Sequence, residues 1–199
     1  MSQDDDLARA VRAANAGDER AFAVLWRFLN PALLRYLRVV VGDTADDVAS
    51  ETWLQAARDL HRFTGDGAAF RGWLFRIARN RAIDEQRRAG RRPEHPTGTI
   101  ADDTTGTPAR DAAAEAAEGS DTAWALSRIA ALPTDQAEAV MLRVVAGLDV
   151  ATTAQVLGKR PGAVRIATMR GLRRLAADPQ VQARNPALSP ARTIRTEGV

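Results

Sequence analysis

The side chains best able to do chemistry in this sequence are arginines, and they fall into two groups. The first comprises Arg71, Arg76, Arg79, Arg81, Arg87, Arg88, Arg91 and Arg92, with Trp73 and Phe75 set between them. Guanidinium groups hold phosphate, and aromatic faces stack on unpaired bases at about 1–3 kcal/mol each, so the mixture suits opened nucleic acid. Trp73 and Phe75 stand about 200° apart on a helix, so both cannot face one core. One of them is expected beside the basic surface. The second group, Lys159, Arg160, Arg165, Arg170, Arg173 and Arg174, shares its stretch with Thr168 and Met169 and with no carboxylate.

A patch of arginine alone usually marks a solvated face, but the second group sits in a specific frame. A helix-turn-helix needs a small residue where its helices cross, a turn residue tolerant of positive φ, and an aliphatic anchor on the second helix. Ala154, Gly158 and Val164 supply these, with Leu157 before the turn and Ala167 one helical turn after the anchor. Pro161 stands where a helix starts without needing its N–H. Such a motif lays its second helix in the major groove, with early residues at base edges and flanking residues on phosphates. That places Lys159, Arg160, Arg165, Thr168, Met169, Arg170 and Arg173 at DNA.

Other chemistries are poorly supplied. The chain has no cysteine, which removes disulfides, thiolate nucleophiles and sulfur-ligated zinc. His61 and His95 are the only histidines, far apart and without carboxylates at ligand spacing. A magnesium nuclease would have to use Asp46, Asp47 and Glu51, but adjacent acids point in different directions on a helix and no second carboxylate cluster completes a two-metal site. No metal, no cofactor and no catalysis are therefore expected. The sequence pI of 10.4 favours nucleic acid as a partner. Residues 1–92 carry a net +3, residues 93–123 a net −6 and residues 124–199 a net +6, so two basic blocks flank an acidic one.

The positioning elements are all helical, because apolar residues recur at three and four and no useful strand alternation is present. Leu7 to Ala14 form a short helix ended by Gly17. Asp18 caps the next, which Pro31 should kink or restart and Gly42 should close. A third runs from about Thr44 to Leu60, and a fourth follows the turn Thr64-Gly65-Asp66-Gly67. The second block should start near Ser120 or Asp121, break at Leu132-Pro133 and restart on Thr134 as a cap. Helices at about Val150 to Leu157 and Pro161 to Ala176 follow. Pro93 to about Asp121 is poor in apolar residues and reads as a linker. The expected fold is all-α, two small helical domains (1–92 and 122–178) joined by an acidic flexible linker (93–121), with a frayed tail (179–199). No apolar run is long enough to span a membrane, and the acidic start, Ser2-Gln3-Asp4-Asp5-Asp6, has the wrong polarity for a secretory signal, so the cytoplasm is the expected location.

Three runs carry a family resemblance. Ala45-Asp46-Asp47-Val48-Ala49-Ser50-Glu51-Thr52-Trp53-Leu54, then Phe63-Thr64-Gly65-Asp66-Gly67, then Phe70 to Asn80 with Asp84, resemble the first conserved domain of the extracytoplasmic-function sigma factors. Leu132-Pro133, the Ala137 to Val145 helix, Gly147-Leu148 and the helix-turn-helix are similar to that family's second domain. The resemblance implies a bacterial specificity subunit that binds core RNA polymerase and promoter DNA, and it allows an anti-sigma factor as a further partner. It implies that Asp46, Asp47, Ser50, Glu51, Gln55 and Arg58 dock on the polymerase clamp. The turn from His61 to Gly67, with Phe63, Gly65 and Asp66, would capture a flipped base of the minus-ten element. Arg71, Trp73, Phe75, Arg76, Arg79, Asn80, Arg87 and Arg88 would lie along the same DNA, and the second domain would read the minus-thirty-five element. One position departs: where many members have a small hydroxyl and then a basic residue, this chain has Ile166 and Ala167. Ile166 is suited to a thymine methyl and Arg165 to guanine. The other reading open to these residues is a conventional helix-turn-helix regulator with an amino-terminal sensing or dimerisation domain. It accounts for the second block and leaves the basic, aromatic first block unexplained.

Overall fold

The computed structural model of the protein describes residues 3–90 and 111–184, and every regular element among them is helical. Helix α1 (Gln3–Asn15) ends before Gly17, whose φ of 93° lets the chain turn. Asp18 then caps α2 (Glu19–Val41), its Oδ1 accepting from Arg20 N at 2.8 Å and Ala21 N at 3.2 Å. Of the two outcomes expected at Pro31, a kink or a restart, the restart does not occur: α2 runs through it as one helix. It sits on the exposed side, while Leu25, Leu29, Leu33, Tyr36 and Leu37 bury the other side on both flanks of it. That burial outweighs one lost backbone hydrogen bond.

Gly42 closes α2, and a 3-10 turn (Gly42–Thr44) leads into α3 (Ala45–Asp59). After a second 3-10 turn (Leu60–Arg62), Asp66 caps α4 (Gly67–Ala89), accepting from Ala69 N at 2.8 Å. In the second unit α5 spans Asp111–Ala130, starting well before Ser120. Its early turns are alanine and glutamate, strong helix formers that need no packing, so residues 111–121 are helical where a linker was expected. Residues 93–110, the rest of that expected linker, lie outside the described residues, as do Arg91, Arg92 and the tail beyond residue 184.

Helix α6 (Thr134–Val140) continues into a π-turn (Met141–Val145). Thr134 is its first residue and not its cap, since Pro133 holds the cap position and its carbonyl accepts from Gln136 and Ala137. Helices α7 (Val150–Leu157) and α8 (Pro161–Ala177) form the helix-turn-helix, with Gly158 left-handed at φ 63° and ψ 33°. Part of the expected frayed tail is ordered as α9 (Pro179–Arg184), where Arg184 pairs with Asp121 and lies 4.8 Å from the centre of the Trp124 ring.

Packing joins what the sequence separates. Helices α1 to α4 enclose Leu25, Leu33, Phe70 and Leu74, and α6 and α8 meet at Gly171, where a β-carbon would come within 2.8 Å of Val140 Cγ2. The two units are not spaced apart. Helix α7 lies on α4, α6 and α5 lie on α2, and one hydrophobic core runs through both.

The start of α7 is fixed by Asp149, whose Oδ1 accepts from Thr152 N at 2.7 Å and whose Oδ2 accepts from Thr152 Oγ1 at 3.1 Å. Chiefly the Thr152 backbone N–H holds the Asp149 carboxyl below its ordinary pKa. Hydrogen bonds that favour the ionised form give a contribution that is complete above the ordinary carboxylate range and is lost as the pH falls through the lowered value. Asp149→Ala should cost about 1 kcal/mol at neutral pH in chemical denaturation. Its difference from the unaltered chain should shrink as the pH is brought below about 4.

Candidate nucleic-acid interface

The loop before α4 is built from local constraints. Gly65 has a φ of 152°, and a β-carbon there would meet Ala69 Cβ at 2.8 Å and Phe63 Cζ at 3.0 Å, so only glycine fits. Asn15 of α1, which the sequence gave no reason to select, ties the loop down: its Nδ2 donates to Phe63 O at 3.0 Å. Phe63, Phe70 and Trp73 form a three-ring cluster with centroids 5.1 to 5.5 Å apart. Beside it opens a cleft of about 480 Å³ bordered by Arg62, Phe63, Trp73 and Arg76. It combines ring faces with guanidinium groups, the two things an unpaired nucleotide needs. Thr152, Gln155 and Val156 of α7 form its far wall.

Of the two aromatics on α4, Trp73 is half-buried at this cleft, whereas Phe75 is 0% exposed and packs edge-on against Tyr36 at 5.7 Å. Phe75 is therefore a core residue, which corrects the expectation that it could lie beside the DNA. The sequence argument assumed that α4 buries one face. In the structure it is covered over a wider arc, by α1 to α3 on one side and α7 on another.

The basic residues of α4 divide by surroundings. Arg76, Asn80, Arg87 and Arg88 are exposed and Arg71 is half-buried. Arg79 Nε instead donates to Glu138 Oε1 at 2.9 Å, across to α6. Tyr36 Oη donates to the same oxygen at 3.2 Å. Burial first, and then the Glu138 carboxylate, push the Tyr36 phenol well above its usual range, so it stays a protonated donor. Neither Tyr36 nor Glu138 was selected from the sequence, because nothing local shows that residues so far apart in the chain meet.

On α3, Asp46, Asp47, Ser50, Glu51 and Arg58 are exposed together as expected. The face is not wholly free, since Gln55 Oε1 accepts from Arg81 Nε at 3.0 Å and Glu51 lies 4.0 Å from Arg88. Ser50 Oγ is occupied by Asp46 O at 2.9 Å. Beside this face the structure exposes Trp26 (46%) and Leu54 (55%), both missed by the sequence reading. Trp26 lines a small hollow with Asn30, Asp46, Ser50 and Trp53.

The helix-turn-helix is as its spacing predicts, with Ala154, Val164 and Ala167 buried. Lys159, Arg160, Arg165, Ile166, Met169, Arg170 and Arg173 are exposed, Ile166 and Met169 by 49% and 43%. The Thr168 hydroxyl donates to Val164 O at 2.9 Å, so its proton is already spent. Among the described residues no cluster of His, Cys, Asp or Glu could hold a metal ion, and no helix is long and apolar enough to cross a membrane.

Comparison with known proteins places both units. Residues 25–92 match sigma-70 region 2 and residues 123–175 match sigma-70 region 4. The chain is 36% identical over 178 residues to the ECF RNA polymerase sigma factor BldN of Streptomyces coelicolor, covering 87% of this chain and 67% of that one. It is 36% identical over 180 residues to the ECF RNA polymerase sigma factor ShbA of Streptomyces griseus, covering 86% and 94%. The solved structure of CnrH in complex with the cytosolic domain of CnrY superposes with a TM-score of 0.60 at 25% identity, over 86% of this chain and 96% of that one.

The two α4 aromatics should separate on substitution. Phe75→Ala removes a fully buried ring and should cost about 3–5 kcal/mol in thermal or chemical denaturation. Trp73→Ala, from a half-buried ring, should cost less and should weaken binding of single-stranded DNA. A larger stability loss for Trp73→Ala would reverse the assignment.

Proposed function

The chain belongs to the extracytoplasmic-function sigma factors, subunits that bind core RNA polymerase and direct promoter-specific initiation, and from that premise we propose how its residues divide the work. Helices α1 to α4 bind the polymerase and the minus-ten element, and α6 to α8 bind the minus-thirty-five element. The observation that carries this division is the order of the two matched regions on two helical units, each with its own exposed basic surface. The protein acts in the cytoplasm, on the nucleoid, and contributes no catalysis of its own.

The polymerase docks on Asp46, Asp47, Ser50, Glu51, Gln55 and Arg58 of α3. Trp26 and Leu54 stand at the edge of that acidic face, and an exposed aromatic beside charged groups is the usual composition of an interface anchor. The loop from His61 to Gly67 takes a flipped base into the aromatic cleft, where half-buried Trp73, backed by the buried Phe63 ring, replaces the stacking it loses; extrusion costs a few kcal/mol. Arg71, Arg76, Arg79, Asn80, Arg87 and Arg88 follow the strand. On α8, Arg165 and Ile166 meet base edges in the major groove, with Met169 beside them, while Lys159, Arg160, Arg170 and Arg173 hold phosphates. The CnrH structure holds the cytosolic domain of another protein, which supports a protein regulator here as well.

The direct test is transcription by core RNA polymerase, with and without this chain, on a pool of promoters. Promoter-specific transcripts that need the chain are expected, and their absence would remove the proposal. Trp26→Ala should weaken binding to core polymerase by about tenfold or more with little change in melting temperature. Arg165→Ala should flatten preference at one or two base pairs of the upstream element, about 1–3 kcal/mol of discrimination, whereas Arg173→Ala should weaken all duplexes alike. Affinity of the chain for single-base variants of the element at several salt concentrations separates the two. An equal loss for every variant on Arg165→Ala would make Arg165 a phosphate contact.

A further inference from the structure

The outer side of α2 carries Arg20, Arg27, Arg35 and Arg38, all exposed, within about a third of the helix circumference. The one carboxylate of α2, Glu19, stands at its start. Over its second half this stripe meets α5 across an open groove of about 510 Å³, within the size range of small-molecule sites. Leu34 and Val39 of α2 with Ala123 and Leu126 of α5 supply the apolar lining, and Arg35 and Arg38 supply the charge. Among the described residues no Asp or Glu lines the groove, and no ion pair holds either arginine, whereas Arg79, Arg81, Arg88 and Arg128 are all paired. Of the two hydroxyls in the lining, Ser127 Oγ already donates to Trp124 O at 2.7 Å. The side-chain donors left for a ligand are therefore the two guanidiniums and the Thr122 hydroxyl.

We infer that this groove binds a small amphipathic anion, with a carboxylate or phosphate head on Arg35 and Arg38 and an apolar chain laid between α2 and α5. Residues three apart on a helix have β-carbons about 5–6 Å apart, so both guanidiniums reach one head group. Charge-assisted bonds from a guanidinium to such a head are the strong class, and the chain gains by covering Leu34, Val39 and Leu126. The ligand is a free molecule and not the face of a bilayer: Leu126 is only 9% exposed, so part of the apolar lining lies where a flat surface does not reach. None of the lining residues is assigned above to polymerase or DNA, so the site stands apart from that reading. Because α2 belongs to the first unit and α5 to the second, a bound anion touches both, and it stabilises the folded chain according to its own concentration.

Decanoate is the probe, titrated into the full chain by isothermal titration calorimetry beside decanol, the same body without the charge, and acetate, the head alone. Decanoate should bind at one site, and the other two should bind more weakly by about tenfold or more. Arg35→Gln together with Arg38→Gln should weaken decanoate by about tenfold or more. Arg20→Gln together with Arg27→Gln removes the same charge from the same side of α2 but outside the groove, and should leave decanoate binding unchanged. All four arginines are exposed, so the unliganded melting temperature of both variants should match that of the unaltered chain. Ala123→Phe fills the groove from α5 without touching a charge and should also weaken decanoate.

Failure of decanoate to bind, or decanol binding as tightly, overturns the inference. Equal losses for the two arginine pairs overturn it as well, since α2 would then attract anions as a charged surface, as it would a lipid bilayer. Each of these results leaves the assignments of α3, α4 and α8 standing.

Discussion

The Glu138 carboxylate, shared between the Arg79 guanidinium and the Tyr36 hydroxyl, sets what the two units can do together. Taking a carboxylate and a guanidinium out of water costs several kcal/mol per ion, and their attraction returns that only when geometry and hydrogen bonds are good. Here one oxygen receives both donors, and the side chains keep only 20% and 9% of their exposure. The gain and the cost nearly cancel, so the pair specifies one way of docking more than it strengthens it. If the units separate, the two charged groups return to water and their desolvation cost disappears with the contact. A contact of this kind is suited to being made and broken.

Helix α4 carries the consequence, because it must serve as core for its own unit and as a surface for two others. Phe70, Leu74, Phe75 and Ala78 are fully buried, Gly72 is the point of closest approach to α7, and Arg76 and Asn80 remain in solvent. Little of its circumference is left over. Gly72 shows this most plainly, since a glycine inside a helix costs about 1 kcal/mol relative to alanine. Its position against Thr152 supplies the reason for it: a side chain would hold α7 away.

Features set by near neighbours in the chain were legible in the sequence. The helix-turn-helix follows from Ala154, Gly158 and Val164 because the turn, crossing and anchor lie within a dozen residues. Asp18, Gly42 and the turn from Thr64 to Gly67 marked helix ends for the same reason. The placement of Phe75 was not legible, because an angular argument about one helix does not say how many neighbours cover it. Pro31 was read as a kink or a restart from its own backbone chemistry, and the long apolar face on both sides of it keeps the helix from restarting. Within the candidate site, the basic residues could be chosen by residue type, whereas the loop and the acidic face of α3 came from the family resemblance. Glu138, Tyr36, Asn15 and Trp26 could not, since their roles arise from contacts or exposure that only the fold creates.

The two DNA-facing surfaces are unequally available in this arrangement, and that orders their use. On α8, Arg165, Ile166, Met169 and Arg173 all stay exposed while the units are together, because α8 packs through Val164, Ala167 and Gly171 on its opposite side. On α4, Arg79 is engaged by Glu138 and the aromatic cleft is walled by α7. On the assignments proposed above, a closed chain can therefore touch duplex DNA through α8 before its base-capturing cleft is free. Duplex contacts of this kind come first for a second reason: they draw on the long-range field of the phosphates, whereas base capture needs strands already parting.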